Sequence, residues 1–267
     1  MQNGVSTGSR FVFRGTAIPV GGRVLRVRED RTPQALQSPP ASSLSVAGGF
    51  SHAVSPGSAF RDIFSWGQCL AESIGETKAD GTNVTTVTAS VQNGSAANGP
   101  NVFKFGQLKI SVVSIHPQKG QPSITPAEVV FTDLSLNNQK IALNTDVDDF
   151  RKLSTLDQFD YEFRTNKALF KKYRERFQGS SKGLDFGQPI PRMPGGYVVC
   201  SLVNSIQWGS KKIPGNVLTL DGFGKIYFAE VLINDYNRRF TMVRLGMGSD
   251  VEAEVAYAES DGNGSWF

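Results

Sequence analysis

Metal-ligating side chains are scarce in this chain of 267 residues, which has only two cysteines and two histidines. Cys69 and Cys200 are far apart in the sequence, so they do not form the close cysteine pair that is typical of a zinc site. We therefore predict no metal site and no cofactor. Both cysteines lie in apolar, strand-like segments, where buried free thiols are the favoured interpretation. A disulfide between them, which would indicate an oxidising compartment, is the alternative.

Long apolar stretches are also missing. No run approaches the roughly 18 residues that a transmembrane helix needs, so we predict no transmembrane segment. The first eight residues, MQNGVSTG, contain no apolar run and hence no signal peptide. The strands are nevertheless rich in serine, threonine and asparagine, a composition typical of exported β proteins. On that basis we expect an extracytoplasmic or secreted location.

Nucleotide-binding motifs are absent too. The sequence contains neither the P-loop pattern nor the glycine-rich dinucleotide pattern. Charged residues make up 19% of the chain and the net charge is only +4, which argues against a nucleic-acid binder.

What the sequence does contain is a succession of short strands. Val87, Ala89 and Val91 alternate with hydroxyl residues, and similar runs bounded by Gly, Asn and Asp recur to the end of the chain. The pattern predicts a mainly β fold: an antiparallel β-sandwich or barrel with a helical insertion at about 146–178. In that insertion Leu156 and a series of aromatic residues repeat with helical spacing, interrupted near Asn166, which can cap a second helix.

The first 41 residues form a basic, proline-linked segment. We predict that it is an N-terminal arm or hairpin, with a turn at 19–22, and that residues 42–267 form the β domain. Because the C-terminal end is acidic, the arm can pair with a neighbouring copy and produce a homo-oligomer. The same difference in charge can instead close the molecule on itself.

Two surfaces are candidates for ligand binding. One is a polar, aromatic and basic hairpin tip, which we predict binds a carbohydrate or another surface ligand: Asp235, Tyr236, Asn237, Arg238 and Arg239. The other is a basic helical face formed by Lys167, Lys171 and Arg174, spaced so that they can meet a polyanion or an anionic membrane surface.

Catalytic candidates are few. Glu72 and Glu230 each interrupt an apolar strand, and two converging carboxylates are what an acid–base hydrolase requires. His116 precedes a proline at a strand end, where a general base can sit. The favoured function is a non-catalytic binding or structural and assembly module. A hydrolase or isomerase with a carboxylate site in the mouth of the β fold is the alternative, and a polyanion or membrane-surface binder is the third.

Overall fold

The structure is a computed structural model, and it describes residues 10–26, 34–36, 41–174, 185–188, 190, 198–234, 237–248 and 251–266. In chain order the strands are β1 (Phe11–Arg26), β2 (Gln34–Ala35), β3 (Ser42–Ser43), β4 (Gly49–Ser55), β5 (Ser58–Phe60), β6 (Phe64–Trp66), β7 (Cys69–Thr77), β8 (Asn83–Asn98), β9 (Asn101–His116), β10 (Ser123–Thr132), β11 (Ser135–Leu136), β12 (Gln139–Thr145), β13 (Val198–Ser201), β14 (Val203–Trp208), β15 (Lys211–Pro214), β16 (Val217–Leu220), β17 (Gly224–Ile233), β18 (Asn237–Met247) and β19 (Val251–Trp266). The helices of the described residues are α1 (Val147–Lys152), α2 (Leu156–Thr165) and α3 (Lys167–Arg174).

These strands form two antiparallel sheets. The first has the order β13-β17-β18-β19-β1-β2, with β16 beside β17 and β3 beside β1. The second has the order β15-β14-β12-β11-β9-β8-β6-β5, with β10 beside β9, β7 beside β8 and β4 beside β7. The prediction of a mainly β, antiparallel fold with a helical segment is confirmed.

The two sheets pack face to face around one core, as in a sandwich. The alternating residues Val87, Ala89 and Val91 point into it and are fully buried, because successive side chains of a strand face opposite sides. Aromatic rings join the layers, and the ring centroids of Phe105 on β9 and Tyr257 on β19 are 5.1 Å apart.

The N-terminal segment is part of the first sheet. Residues 11–26 form one continuous strand that pairs with β19 along its length, so the predicted hairpin with a turn at 19–22 is wrong. Pro19 does not break the strand, because it and Ala258 both fall outside the register of paired residues, where a missing N–H costs no ladder hydrogen bond. Arg23 lies opposite Glu254. The basic strand β1 and the acidic strand β19 are therefore neighbours in the first sheet.

The helical insertion packs against the inner face of β18. Leu156, Phe159, Phe163, Phe170 and Tyr173 are buried, as the helical spacing predicts. The backbone N–H of Leu169 donates to the side-chain Oδ1 of Asn166 at 3.1 Å, which confirms the predicted cap between the two helices. Residues 175–178 of the predicted insertion lie outside the described residues.

Candidate functional site

A groove of about 530 Å³ lies where α3 meets the edge of the second sheet. Its lining brings together six polar side chains from four elements: Asn144, Lys171, Lys172, Asn204, Ser205 and Lys212. The volume is within the range of about 300–1,000 Å³ that is usual for small-molecule sites.

The local folding of each element explains why lysines surround the groove. In α3 the side chains of Phe170 and Tyr173 face the core, so Lys171 and Lys172 lie on the outer surface of the helix. In the edge strand β15, Lys212 lies opposite Gln207 of β14 in the register of paired residues. The register between β12 and β14 shifts next to Asn144, at the place where Asn204 lies.

The three lysines differ in their electrostatic surroundings. Lys172 forms ion pairs with Asp146 and Asp149. Partial burial by itself would lower the pKa of Lys172, but the two carboxylates raise it above its ordinary value. The hydrogen bonds from Lys172 and Lys152 lower the pKa of Asp149 to about 2. Lys172 is thus charged at neutral pH, and its charge is balanced by these carboxylates.

Lys171 and Lys212, by contrast, have no carboxylate partner among the residues that the structure describes. Next to them, the amide of Asn204 donates through Nδ2 to Asp146 at 3.4 Å, and its buried Oδ1 accepts no hydrogen bond within the described chain. The groove therefore offers two free ammonium groups together with amide and hydroxyl groups.

Of the basic helical face predicted from the sequence, only Lys171 lines this groove. Lys167 and Arg174 are exposed elsewhere on α3. Asn144, Asn204 and Lys212 were missed, because nothing in a single sequence shows that segments so far apart are neighbours. The only local signal was the paired Lys211-Lys212 of an otherwise short strand.

The described residues of the predicted recognition tip lie on both faces of β18. Asp235 and Tyr236 lie outside the described residues. Asn237 donates to the Asp261 carboxylate at 3.1 Å, and Arg239 is 3.9 Å from Glu259. These contacts are on the outer face of the first sheet and away from the groove.

Arg238 points the opposite way, into the helical insertion. Its side chain is buried, with Nη2 donating to the carbonyl oxygen of Leu153 at 2.5 Å and the guanidinium 5.4 Å from the centroid of the Phe150 ring. Burial lowers the pKa of Arg238 to about 10. This arginine joins the end of α1 to the sheet and is not accessible to a ligand in solution.

The predicted catalytic residues lie in three separate places. Glu72 is on the second sheet, where a carboxylate oxygen is 3.6 Å from Nδ1 of His52. Glu230 is on the first sheet and is held by Arg244 through Nε at 2.5 Å and Nη2 at 2.9 Å. The hydrolase alternative needs two of the predicted acids to converge, and Glu72 and Glu230 are on different sheets.

His116, the third predicted catalytic residue, lies apart from both glutamates. Its Nε2 is 2.5 Å from the Ser114 hydroxyl, the contact that a nucleophile and its base would make. Both residues are buried, however, and Phe11 lies over the imidazole at 5.0 Å between ring centroids. Burial lowers the pKa of His116 to about 4, so the ring is neutral and enclosed at neutral pH.

Two acids that the sequence reasoning did not single out lie side by side on the outer face of β19. Burial raises the pKa of Glu259, against the lowering effect of Arg239 and Thr241. Burial likewise raises the pKa of Asp261, which accepts a hydrogen bond from Asn237. Their i, i+2 spacing, which places them on one face of a strand, was the available signal.

Both cysteines are buried as thiols in the structure. Burial raises the pKa of Cys69 to about 11, which leaves almost no thiolate at neutral pH. We expect Ellman's reagent to react slowly with the native protein and to titrate both thiols at once in guanidinium chloride. Rapid reaction of one thiol in the native protein would contradict this burial.

Within the described ranges, no helix is long and apolar enough to cross a membrane, and no group of three or more His, Cys, Asp or Glu side chains is arranged to hold a metal ion. The model of one protein family, described as a domain of unknown function (DUF8256), matches residues 11–234. No curated protein and no solved structure matches the chain.

Proposed function

We propose that this chain, which belongs to the DUF8256 family, is a non-catalytic binding module that holds an anionic ligand in the groove beside α3. The observation that carries the proposal is the pair of lysines, Lys171 and Lys212, that approach one groove from different elements without carboxylate partners in the described chain. Phosphate, sulfate and carboxylate groups share the negative charge and the acceptor oxygens that ammonium groups bind.

The remaining groups of the groove favour a ligand that also carries hydroxyl or amide groups. Ser205 and Asn144 can donate or accept hydrogen bonds, and the buried Oδ1 of Asn204 is an acceptor with no donor among the described residues. A donor on the ligand would satisfy that oxygen. Leaving a buried acceptor without a partner costs free energy, so this interaction would add to the affinity.

Binding is favoured over catalysis because of where the titratable groups lie. Glu72, Glu230 and His116 do not line the groove, and each is held by its own neighbours. The groove itself presents ammonium, amide and hydroxyl groups, none of which is a base at neutral pH without a strongly altered pKa. Such a set holds a charged group in place.

The proposal is tested by titrating the protein with inorganic phosphate, sulfate and citrate and following the backbone amide NMR signals. We expect the signals of Lys171, Lys212 and Asn204 to move together. In the double variant Lys171→Gln/Lys212→Gln, the loss of two charge-assisted contacts is expected to weaken the affinity about tenfold or more. Binding by the wild-type protein is expected to weaken as salt is added.

The matched control is Lys167→Gln/Arg174→Gln, which removes two positive charges from the same helix outside the groove. We expect this variant to keep the affinity of the wild-type protein within about twofold, since exposed charges at a distance are screened by salt. An equal loss in both double variants would mean that net charge alone attracts the anion, and the proposed site would be wrong.

A further inference from the structure

A second recess, of about 370 Å³, lies at the tip of the hairpin formed by β14 and β15. We call it the Trp208 shelf; it is lined by Asn137, Gln139, Trp208, Gly209, Ser210 and Lys211. None of these residues lines the groove beside α3. The shelf is therefore a separate surface of the same hairpin.

An aromatic ring forms part of this surface. Trp208 is half-buried, and its indole Nε1 is a buried atom. A ligand on the shelf would therefore contact the carbon atoms of the indole ring and not its N–H group. The C–H face of a sugar ring matches such a surface, because indole is a large apolar plane with a negative π face.

A positive charge lies next to that ring. The Lys211 Nζ is 5.7 Å from the centroid of the Trp208 ring. Lys211 has no carboxylate partner among the described residues. A neutral sugar that stacked on the indole would displace the ammonium from the ring without replacing the cation–π contact. An acidic sugar would offer the ammonium a carboxylate instead.

Two polar side chains complete the shelf. The Gln139 amide and the Ser210 hydroxyl form no hydrogen bonds with the described part of the chain, so both are available to sugar hydroxyl groups. Asn137 has a different role, because its Oδ1 accepts from the Val102 backbone N–H at 2.9 Å and its Nδ2 donates to Asn101 at 2.8 Å. It fixes the wall of the shelf.

We propose that the Trp208 shelf binds a hexuronate unit of an acidic oligosaccharide, with the sugar ring on Trp208, the carboxylate on Lys211 and hydroxyl groups on Gln139 and Ser210. The position of the charge favours a uronate over a nucleotide. The uronate carboxylate is attached directly to the pyranose ring, whereas the phosphate of a nucleotide is separated from its stacking base by a ribose. The Lys211 ammonium lies over the indole ring, 5.7 Å from its centroid, so an acid attached directly to a ring stacked there is within its reach.

The test uses trimers of galacturonate, glucuronate and mannuronate, the methyl ester of the trimer that binds best, and AMP, each measured by isothermal titration calorimetry. We expect at least one uronate trimer to bind and its uncharged ester to bind about tenfold more weakly, because the ester has the same ring and no carboxylate. Failure of all three trimers, or tighter binding of AMP, would overturn the proposal.

Variants assign the binding to the shelf. Trp208→Ala is expected to abolish binding and Trp208→Phe to weaken it severalfold. Lys211→Gln, an exposed substitution that leaves the core intact, is expected to reduce the affinity for the uronate to that for the ester. If Trp208→Ala does not fold, Trp208→Phe and Lys211→Gln serve as the test, and unchanged affinity for the uronate in both variants would overturn the proposal.

The groove variant Lys171→Gln/Lys212→Gln is expected to bind uronate as the wild-type protein does. The proposal for the groove and the proposal for the shelf can therefore fail independently.

Discussion

Replacing Arg244 with methionine is expected to lower the free energy of unfolding by about 3 kcal/mol. Glu230 is only 7% exposed, and both of its carboxylate oxygens accept hydrogen bonds from the Arg244 guanidinium. The guanidinium also lies 3.7 Å from the centroid of the Tyr227 ring. Removing the arginine leaves a nearly buried carboxylate without its main partner, which is the costly outcome for a buried ion pair.

This ion pair depends on an irregularity in β17. Tyr227 and Glu230 are three residues apart, which in a regular strand would place them on opposite faces. Ala229 falls outside the paired register with β18 and has a φ of 47°, a left-handed value that is unusual for alanine. Ala229 lies between the same register pairs as Met242 of β18, so no residue is inserted; its left-handed backbone changes the alternation of side chains, and both Tyr227 and Glu230 reach Arg244.

The measurement is urea unfolding at pH 7, with Arg239→Met as the matched control. Arg239 lies on the same strand, but its side chain is 43% exposed and 3.9 Å from Glu259. Its replacement is expected to cost less than about 1 kcal/mol. Replacing both members of the buried pair, Glu230→Leu with Arg244→Met, is expected to recover most of the loss. Equal costs for Arg244→Met and Arg239→Met would contradict the burial of the pair.

The local parts of the fold could be predicted because short-range chemistry specifies them. Asn137 and Asn138 both have positive φ values, 53° and 60°, in the turn between β11 and β12, and two adjacent asparagines between apolar residues are a local signal for such a turn. The aromatic stripe of the helices was likewise visible in the sequence, since helical spacing alone decides which side chains face the core.

Long-range pairing could not be predicted in the same way. Residues 11–26 have two apolar pieces separated by Pro19 and two glycines, which indicates a hairpin if only neighbouring residues are considered. The strand is continuous because β19, from the other end of the chain, provides its partner. The groove beside α3 also depends on long-range packing, since Lys171 and Lys212 both line it only because α3 packs beside the β14–β15 hairpin.

Acidification is expected to destabilise the protein through His116. Burial lowers the pKa of this imidazole to about 4 in the folded state, while the ordinary value of about 6.5 applies to the unfolded chain. The unfolded state therefore binds the proton more readily. The contribution of His116 to stability is fully present above pH 6.5 and is lost as the pH falls towards 4, by about 3 kcal/mol in total.

The physical cause is the site in which the ring is held. His116 is 4% exposed, with its Nε2 against Ser114 and the rings of Phe11 and Trp266 packed nearby. Protonation would place a cation in this enclosed position, where no carboxylate of the described residues is in contact with it. The folded state resists the proton for that reason.

The experiment compares urea unfolding of the wild-type protein and His116→Phe at pH 7 and at pH 4. We expect the wild-type protein to lose about 3 kcal/mol more than the variant over this interval, because the carboxylates titrate in both proteins and cancel in the comparison. The control is His52→Asn, which removes the other histidine, whose side chain is 42% exposed. The free energy of unfolding of this variant is expected to change between pH 7 and pH 4 as that of the wild-type protein does. If His116→Phe lost as much stability as the wild-type protein, the buried histidine would not be the group that senses acid.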